Sequence, residues 1–180
     1  MQHVIRNILN DIRVDLSDEF DRNFERQGFF SEAWQRRKSP TRPGGSILID
    51  TGGLRRSIHS RISGDSITFE STAAHAAIHN EGGEIVVTEK MKRFFWYKYM
   101  NAAGALAFCR RKDGSLRKEK GTRQISTEAE FWKHMALMKV GKIIKIPRRQ
   151  FIGYSPEVEH LVTEIIEENL TEFFNDFKPL

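Results

Sequence analysis

Cysteine is nearly absent: Cys109 stands alone among 180 residues. A lone thiol can neither close an intramolecular disulfide nor supply a cysteine zinc cluster, so the fold is expected to stand without covalent staples, in a reducing compartment. Long apolar runs are missing as well. Nowhere do about 18 apolar residues follow one another, the length a bilayer core demands of a helix, and mean hydropathy is −0.51. The expectation is a soluble chain with no membrane partner. The first ten residues hold only a short apolar patch before Asp11, Asp15, Asp18 and Glu19, unlike the basic, apolar, small-residue order of a signal peptide. No low-complexity tract and no internal repeat is visible.

With 39% hydrophobic residues, a chain of this length can bury roughly 70% of the surface that it exposes when unfolded. The reading is one domain over residues 1–180, with a core of 1–87 and 141–180 and an insertion at 88–140. Charge is unevenly spread. Residues 1–30 hold four basic and six acidic side chains, 88–149 hold seventeen and five, and 155–180 hold one and seven. Acidic ends around a basic middle suit a nucleic-acid surface, complementary faces that meet in an assembly, or ordinary solvated surface.

Apolar residues recur every four positions at Val4, Ile8, Ile12, Leu16, Phe20 and Phe24, widened by Ile5 and Leu9, which predicts a long amphipathic helix closed by a left-handed Gly28. A second long helix opens at Ser155-Pro156-Glu157, a cap hydroxyl, a proline at the first helical position and a carboxylate near the positive dipole end. It carries Val158, Leu161, Val162, Ile165, Ile166, Leu170, Phe173 and Phe177 at helical spacing. Between them, residues 39–45 read as a Pro/Gly loop, 58–62 and 67–71 as a hairpin around Gly64-Asp65, and 84–87 and 143–146 as short strands. Helices are expected at 88–103 and 127–140, the latter opened by a Thr127…Glu130 capping box. Residues 106–110 and 116–120 are expected to pair as a hairpin across Asp113-Gly114. The fold class is therefore α+β: a small, mainly antiparallel sheet packed with long N- and C-terminal helices, plus a basic helical and hairpin insertion.

Reaction chemistry finds little purchase. His75 and His79 stand four apart with Glu81 close by, but the zinc-protease pattern needs Glu directly after the first histidine, where this chain has Ala76. Asp50, Ser57 and His59 are the residue types of a hydrolase triad without a nucleophile elbow. Gly44-Gly45-Ser46 and Gly52-Gly53 lack the Lys-Ser/Thr of a nucleotide P-loop and the spacing of a dinucleotide site. No catalytic, cofactor or metal residue is therefore assigned.

Residues 108–123 hold seven basic and two acidic side chains. Arg110, Arg111, Lys112, Arg117, Lys118, Lys120 and Arg123 are candidate contacts to phosphates, with Phe94, Phe95, Trp96 and Tyr97 as candidate stacking rings. The same pattern fits a solvated loop beside a helix whose aromatics form core.

Three ordered stretches carry a resemblance: Asp50-Thr51-Gly52-Gly53-Leu54-Arg55-Arg56-Ser57-Ile58, then Ala74-His75-Ala76-Ala77-Ile78-His79-Asn80-Glu81-Gly82-Gly83, then Ile146-Pro147-Arg148-Arg149-Gln150-Phe151-Ile152-Gly153. Over roughly Trp34 to the C-terminus the chain resembles the Mu-like phage virion morphogenesis family, which overlaps with phage tail completion proteins. It departs from that pattern at His75, where an aromatic is expected, at Gln150, where a proline is usual, and in an enlarged 88–140 segment. Thr51, Gly52, Leu54, Ser57, Ile58, Ile78, His79, Gly82, Gly83, Pro147, Arg149, Phe151 and Gly153 match the motifs, and their residue types read as folding signals. The resemblance implies a non-enzymatic phage or prophage protein. Its role would lie in tail completion or head–tail joining, as a homo-oligomeric ring beside tail or head-neck proteins. It also implies host cytoplasm during assembly and then the virion as its location, with Arg55, Arg56, Arg148 and Arg149 at subunit or partner contacts. The alternative is a sequence-nonspecific nucleic-acid-binding module that uses residues 108–123.

Overall fold

A computed structural model describes residues 2–37, 44–109 and 111–176. They fall into two compact units: Met1–Arg36, Ser46–Gly82 and Pro147–Leu180 form the first, and Arg37–Gly45 with Gly83–Ile146 form the second. The first unit contains α1 (Gln2–Arg26), β1 (Gly28–Phe29), β2 (Glu32–Ala33), α2 (Gly53–Arg56), β3 (Ile58–Ser63), β4 (Ser66–Ser71), α3 (Ala76–Asn80) and α6 (Pro156–Asp176). The second contains β5 (Gly83–Val86), α4 (Glu89–Phe108), α5 (Lys120–Ala136) and β6 (Ile143–Ile146).

The four-residue stripe makes α1, and its geometry explains which members are buried. Four residues overshoot a turn of 3.6, so such a stripe winds around the helix by about 40° per step. Burial accordingly starts at Ile12 and is complete at Phe24, while Ile5 stays 45% exposed. Ile12, Leu16 and Phe20 pack with Phe29 and with Ile165 of α6, flanked by Ile67 and Phe69 of β4 and by Val158, Leu161, Val162 and Ile166. Phe24 joins Trp34, Leu54, Ala76 and Phe151 in a second cluster. The long terminal helices thus sandwich their apolar faces with the β3–β4 ribbon. Ser155 caps α6 as its sequence indicates, its Oγ accepting from the Val158 N–H at 3.3 Å. Phe177 and residues 39–43 of the Pro/Gly loop lie outside the described residues.

The α+β reading holds, with strands that are all antiparallel. Among the described residues they form three separate two-stranded ribbons, β1–β2, β3–β4 and β5–β6, where the sequence suggested one small sheet. The β3–β4 hairpin turns at Gly64-Asp65, with Ser63 opposite Ser66.

Three local expectations are corrected. The left-handed residue after α1 is Gln27 (φ 58°), not Gly28. Its carboxamide donates to the Phe24 carbonyl and accepts from the Ile47 N–H, which ties that backbone down. Gly28 is needed for a different reason: a Cβ there would sit 2.6 Å from the Glu32 carbonyl oxygen across the ribbon. The 106–120 hairpin is shorter than expected, with a bridge at Leu116 and no strand at 106–108. Ala102, Ala103, Ala105 and Ala107 are strong helix formers and carry α4 through Phe108, and α5 already begins at Lys120. What remains is the Asp113-Gly114 turn, with Gly114 at φ 82°, and the bonds across it from the Arg111 N–H to the Ser115 carbonyl and from the Arg117 N–H to the Cys109 carbonyl. Nor does Thr127 open a helix; it lies inside α5, where its hydroxyl donates to the Arg123 carbonyl.

Within the second unit, Thr88 caps α4 by accepting from the Met91 N–H. Phe95 of α4 and Ala129 and Ala136 of α5 are buried, and Trp132 stacks on Phe95 at 6.0 Å.

These contacts set opposite outcomes for two glycines. Gly28→Ala should lower stability by about 1–3 kcal/mol through the forced approach to Glu32. Gly104→Ala, in α4 with open space around it, should raise it by roughly 0.5–1 kcal/mol. Urea unfolding of the two variants reads both signs.

Candidate functional site

The three motif stretches, with 15 and 62 residues between them in sequence, build one frame that lies in the first unit except for Gly83 and Ile146. Gly52 adopts φ 76°, which L side chains avoid, and so turns the chain into α2. Leu54 then points into the core beside Phe24 and Phe151. Ser57 ends that turn: its hydroxyl donates to the Leu54 carbonyl at 2.7 Å and shares a hydrogen bond with Ser71 across the β3–β4 ribbon, beside the half-buried Ile58.

The second and third stretches are latched through the end of α3. The His79 carbonyl accepts from the Arg149 N–H at 2.8 Å. The Asn80 carboxamide oxygen accepts from the Phe151 N–H at 2.9 Å and the Ile152 N–H at 3.2 Å. Gly82 at φ 75° turns the chain out of α3 after Asn80, and Gly153 at φ 119° turns it toward α6. Pro147 follows the last residue of β6, where Ile144 and Ile146 take the less exposed face. Ile78 is half-buried. Trp34 completes the frame by donating its indole N–H to the Gln150 carbonyl at 2.7 Å.

The four motif arginines divide into two pairs. Arg55 reaches back to α1 and binds Asp21 through two guanidinium nitrogens and Glu25 at 2.8 Å. Those bonds hold the Asp21 carboxyl below its ordinary range and raise the Arg55 guanidinium. Arg149 is 8% exposed, and its Nε donates to the Gln35 carbonyl at 3.0 Å. Arg56 and Arg148 are exposed, the former donating to the Thr51 carbonyl and the latter to the Gln150 side chain.

His59 is exposed on β3 opposite Glu70, while Ser57 is spent on Leu54 and Ser71, so Asp50, Ser57 and His59 are not assembled as a relay. His75 and His79 do lie together, ring centroids 5.8 Å apart and edge to face. Among the described residues no group of three or more His, Cys, Asp or Glu side chains is placed to hold a metal ion. The His79 Nδ1 is buried without a hydrogen-bond partner among the described residues.

The basic segment occupies the end of the α4–α5 hairpin. Arg111, Lys112, Arg117, Lys118, Lys120 and Arg123 are all exposed there, and Arg110 lies outside the described residues. The four aromatics lie near the start of α4, about three turns of helix before its tip-side end at Phe108. Phe95 belongs to the core, whereas Phe94, Trp96 and Tyr97 are 40–62% exposed.

Sequence reasoning overlooked Asn80, Trp34, Gln27 and Asp21. A signal was there for Asn80, which sits directly after the matching Ile78-His79 pair; nothing local marks Asp21 as the partner of Arg55.

Two measurements check this frame. Asn80→Ala strands two N–H groups and should cost about 2–6 kcal/mol in urea unfolding, at roughly 1–3 kcal/mol per unsatisfied group; Asn80→Asp, which keeps an acceptor, should cost less. Burial, with repulsion from His75 and Arg149, holds the His79 imidazole below the ordinary histidine pKa. The folded chain then binds fewer protons than the unfolded one, so stability is full above about pH 6.5 and is lost as pH falls through the folded value. The thermal midpoint should therefore drop between about pH 7.5 and pH 5.5, and by less in His79→Gln.

No curated protein and no solved structure matches this chain. Among the described residues, no helix is long and apolar enough to cross a membrane. The model of the phage virion morphogenesis family matches residues 3–171. That span includes all three motif stretches and reaches further toward the N-terminus than they do, taking in α1 and with it the Asp21 and Phe24 that the motifs hold. The chain belongs to the phage virion morphogenesis family and has its role in phage virion assembly.

Proposed function

We propose that this protein is a non-enzymatic component that completes the phage tail or joins it to the head, acting as a ring of identical copies. The observation that carries this reading is the division of charge between the two units. The first holds eleven basic and eighteen acidic residues, the second eighteen basic and six acidic. A closed ring apposes two different surfaces of neighbouring copies. Opposite net charges favour the first unit of one copy against the second unit of the next and disfavour like against like, which sets the order of association.

Glu164, Glu167 and Glu168 are exposed on α6, and Lys90 and Arg93 are exposed on α4. These side chains are part of the charge on the two surfaces. Arg56 and Arg148, the exposed pair of motif arginines, are the ones open to a tail or head-neck partner. Arg55 and Arg149 hold the frame instead. The protein would gather in the host cytoplasm before it enters the particle.

The test is a charge swap in phage. Replacing Glu164, Glu167 and Glu168 with Lys should leave heads and tails unjoined under the electron microscope and cut infectious titre by at least about 100-fold. Adding Lys90→Glu and Arg93→Glu to the same gene should restore much of the titre. Normally joined particles from a lysate that lacks the gene altogether overturn the reading.

A further inference from the structure

Outside the motif frame, exposed basic side chains gather at the tip where α4 gives way to α5. The chain closes there on a very short arc. The Arg117 N–H donates to the Cys109 carbonyl at 3.0 Å, the Arg111 N–H to the Ser115 carbonyl at 2.7 Å, and the Gly114 N–H to the Arg111 carbonyl at 3.0 Å. Asp113 braces the turn from inside by accepting from both the N–H and the hydroxyl of Ser115. Those bonds lower its pKa, so it remains a carboxylate engaged with its own loop.

Around this braced arc stand Arg111, Lys112, Arg117, Lys118, Lys120 and Arg123, every one exposed. Among the described residues none of the six is held in an ion pair, whereas the Arg55 charge is consumed by Asp21 and Glu25. Helix dipoles do not supply the positive charge, because the negative end of α4 and the positive end of α5 meet at the same tip. The side chains alone supply it. Six cations on the loop and the first turn of α5, against Glu119 and the loop-bound Asp113 as the acidic side chains among them, match a regular polyanion whose charges recur every few ångströms.

We propose that the α4–α5 tip binds the phosphate backbone of nucleic acid without regard to sequence, Arg111, Lys112, Arg117, Lys118, Lys120 and Arg123 each contacting phosphate. The tip cations are part of the second unit's positive charge on which the ring reading rests, but the charge swap that tests that reading lies on the first turns of α4 and the face of α6 and leaves the tip intact. Phe108, 87% exposed beside the cations, is a ring that an anionic membrane surface would also accept, and lipid is therefore the second probe.

The experiment is fluorescence anisotropy of the purified full chain with a labelled random-sequence duplex. Affinity should fall about 1,000- to 2,000-fold between roughly 50 and 200 mM salt, the slope for six phosphate contacts. The variant Arg111→Gln, Arg117→Gln, Lys118→Gln, Lys120→Gln should lose most of that slope while its circular-dichroism melt is unchanged. Lys90→Gln with Arg93→Gln should bind like wild type, and a second duplex of unrelated sequence should bind equally. No binding at the lower salt overturns the proposal, as does binding that the tip variant retains. So does binding to phosphatidylserine vesicles in place of DNA, or a tip variant that loses only self-association.

Discussion

The first unit depends on bringing residues 147–153 back to the end of α3, where one asparagine side chain and one carbonyl receive three backbone N–H groups. Asn80 and Phe151 are 71 positions apart. Closing an unstructured loop of that length carries an entropy cost of about 4 kcal/mol before any constant. The second unit relieves that cost by folding: β5 pairs with β6 so that Gly83 stands opposite Ile146. Covalent connection then delivers Asn80 and Phe151 to each other across a few residues on either side. The Phe151 ring, fully buried 5.4 Å from Phe24, converts that return into core.

One residue type serves opposite ends in this chain, and environment alone sorts them. Arg149 is buried and satisfied by a carbonyl, and Arg55 is neutralised by two carboxylates of α1, so both act as internal struts. The arginines and lysines of the α4–α5 tip are exposed and stay charged toward solvent. A count of basic residues treats these groups alike. Their consequences differ because a paired, partly buried guanidinium contributes through its hydrogen bonds, while an exposed one contributes through its field.

Much of this was legible in the sequence because the signals were local. The α1 stripe, the Ser155-Pro156 start of α6, the Gly64-Asp65 turn and the two short strands at Glu84 and Ile143 each rest on a few neighbouring residues. Errors arose where two local signals competed. Asp113-Gly114 indicated a hairpin, but the alanine-rich run before it continued as helix. Thr127 and Glu130 have capping-box spacing, a pattern that an interior helical turn can also contain. Gly28 looked like a helix cap because glycine permits positive φ, whereas its position answers a close strand approach. What no local signal could reveal were the partnerships at long range: Asp21 with Arg55, Trp34 with Gln150, Asn80 with Phe151. The motif stretches contain Arg55, Gln150, Asn80 and Phe151, but nothing in them says which residue each one meets.

The β5–β6 pairing has a consequence for how such chains diversify. Because Gly83 and Ile146 leave and re-enter the frame side by side, whatever connects Val86 to Ile143 is topologically a single excursion from one doorway. Its length and composition can drift, or the whole excursion shrink to a tight turn, while the bonds at Asn80 and the core at Phe151 keep their register. Selection for a new host or a new partner can therefore act on the excursion while the frame is held constant. The ribbon is a graft point, and the family motifs lie outside it except for Gly83 and Ile146, which form its threshold.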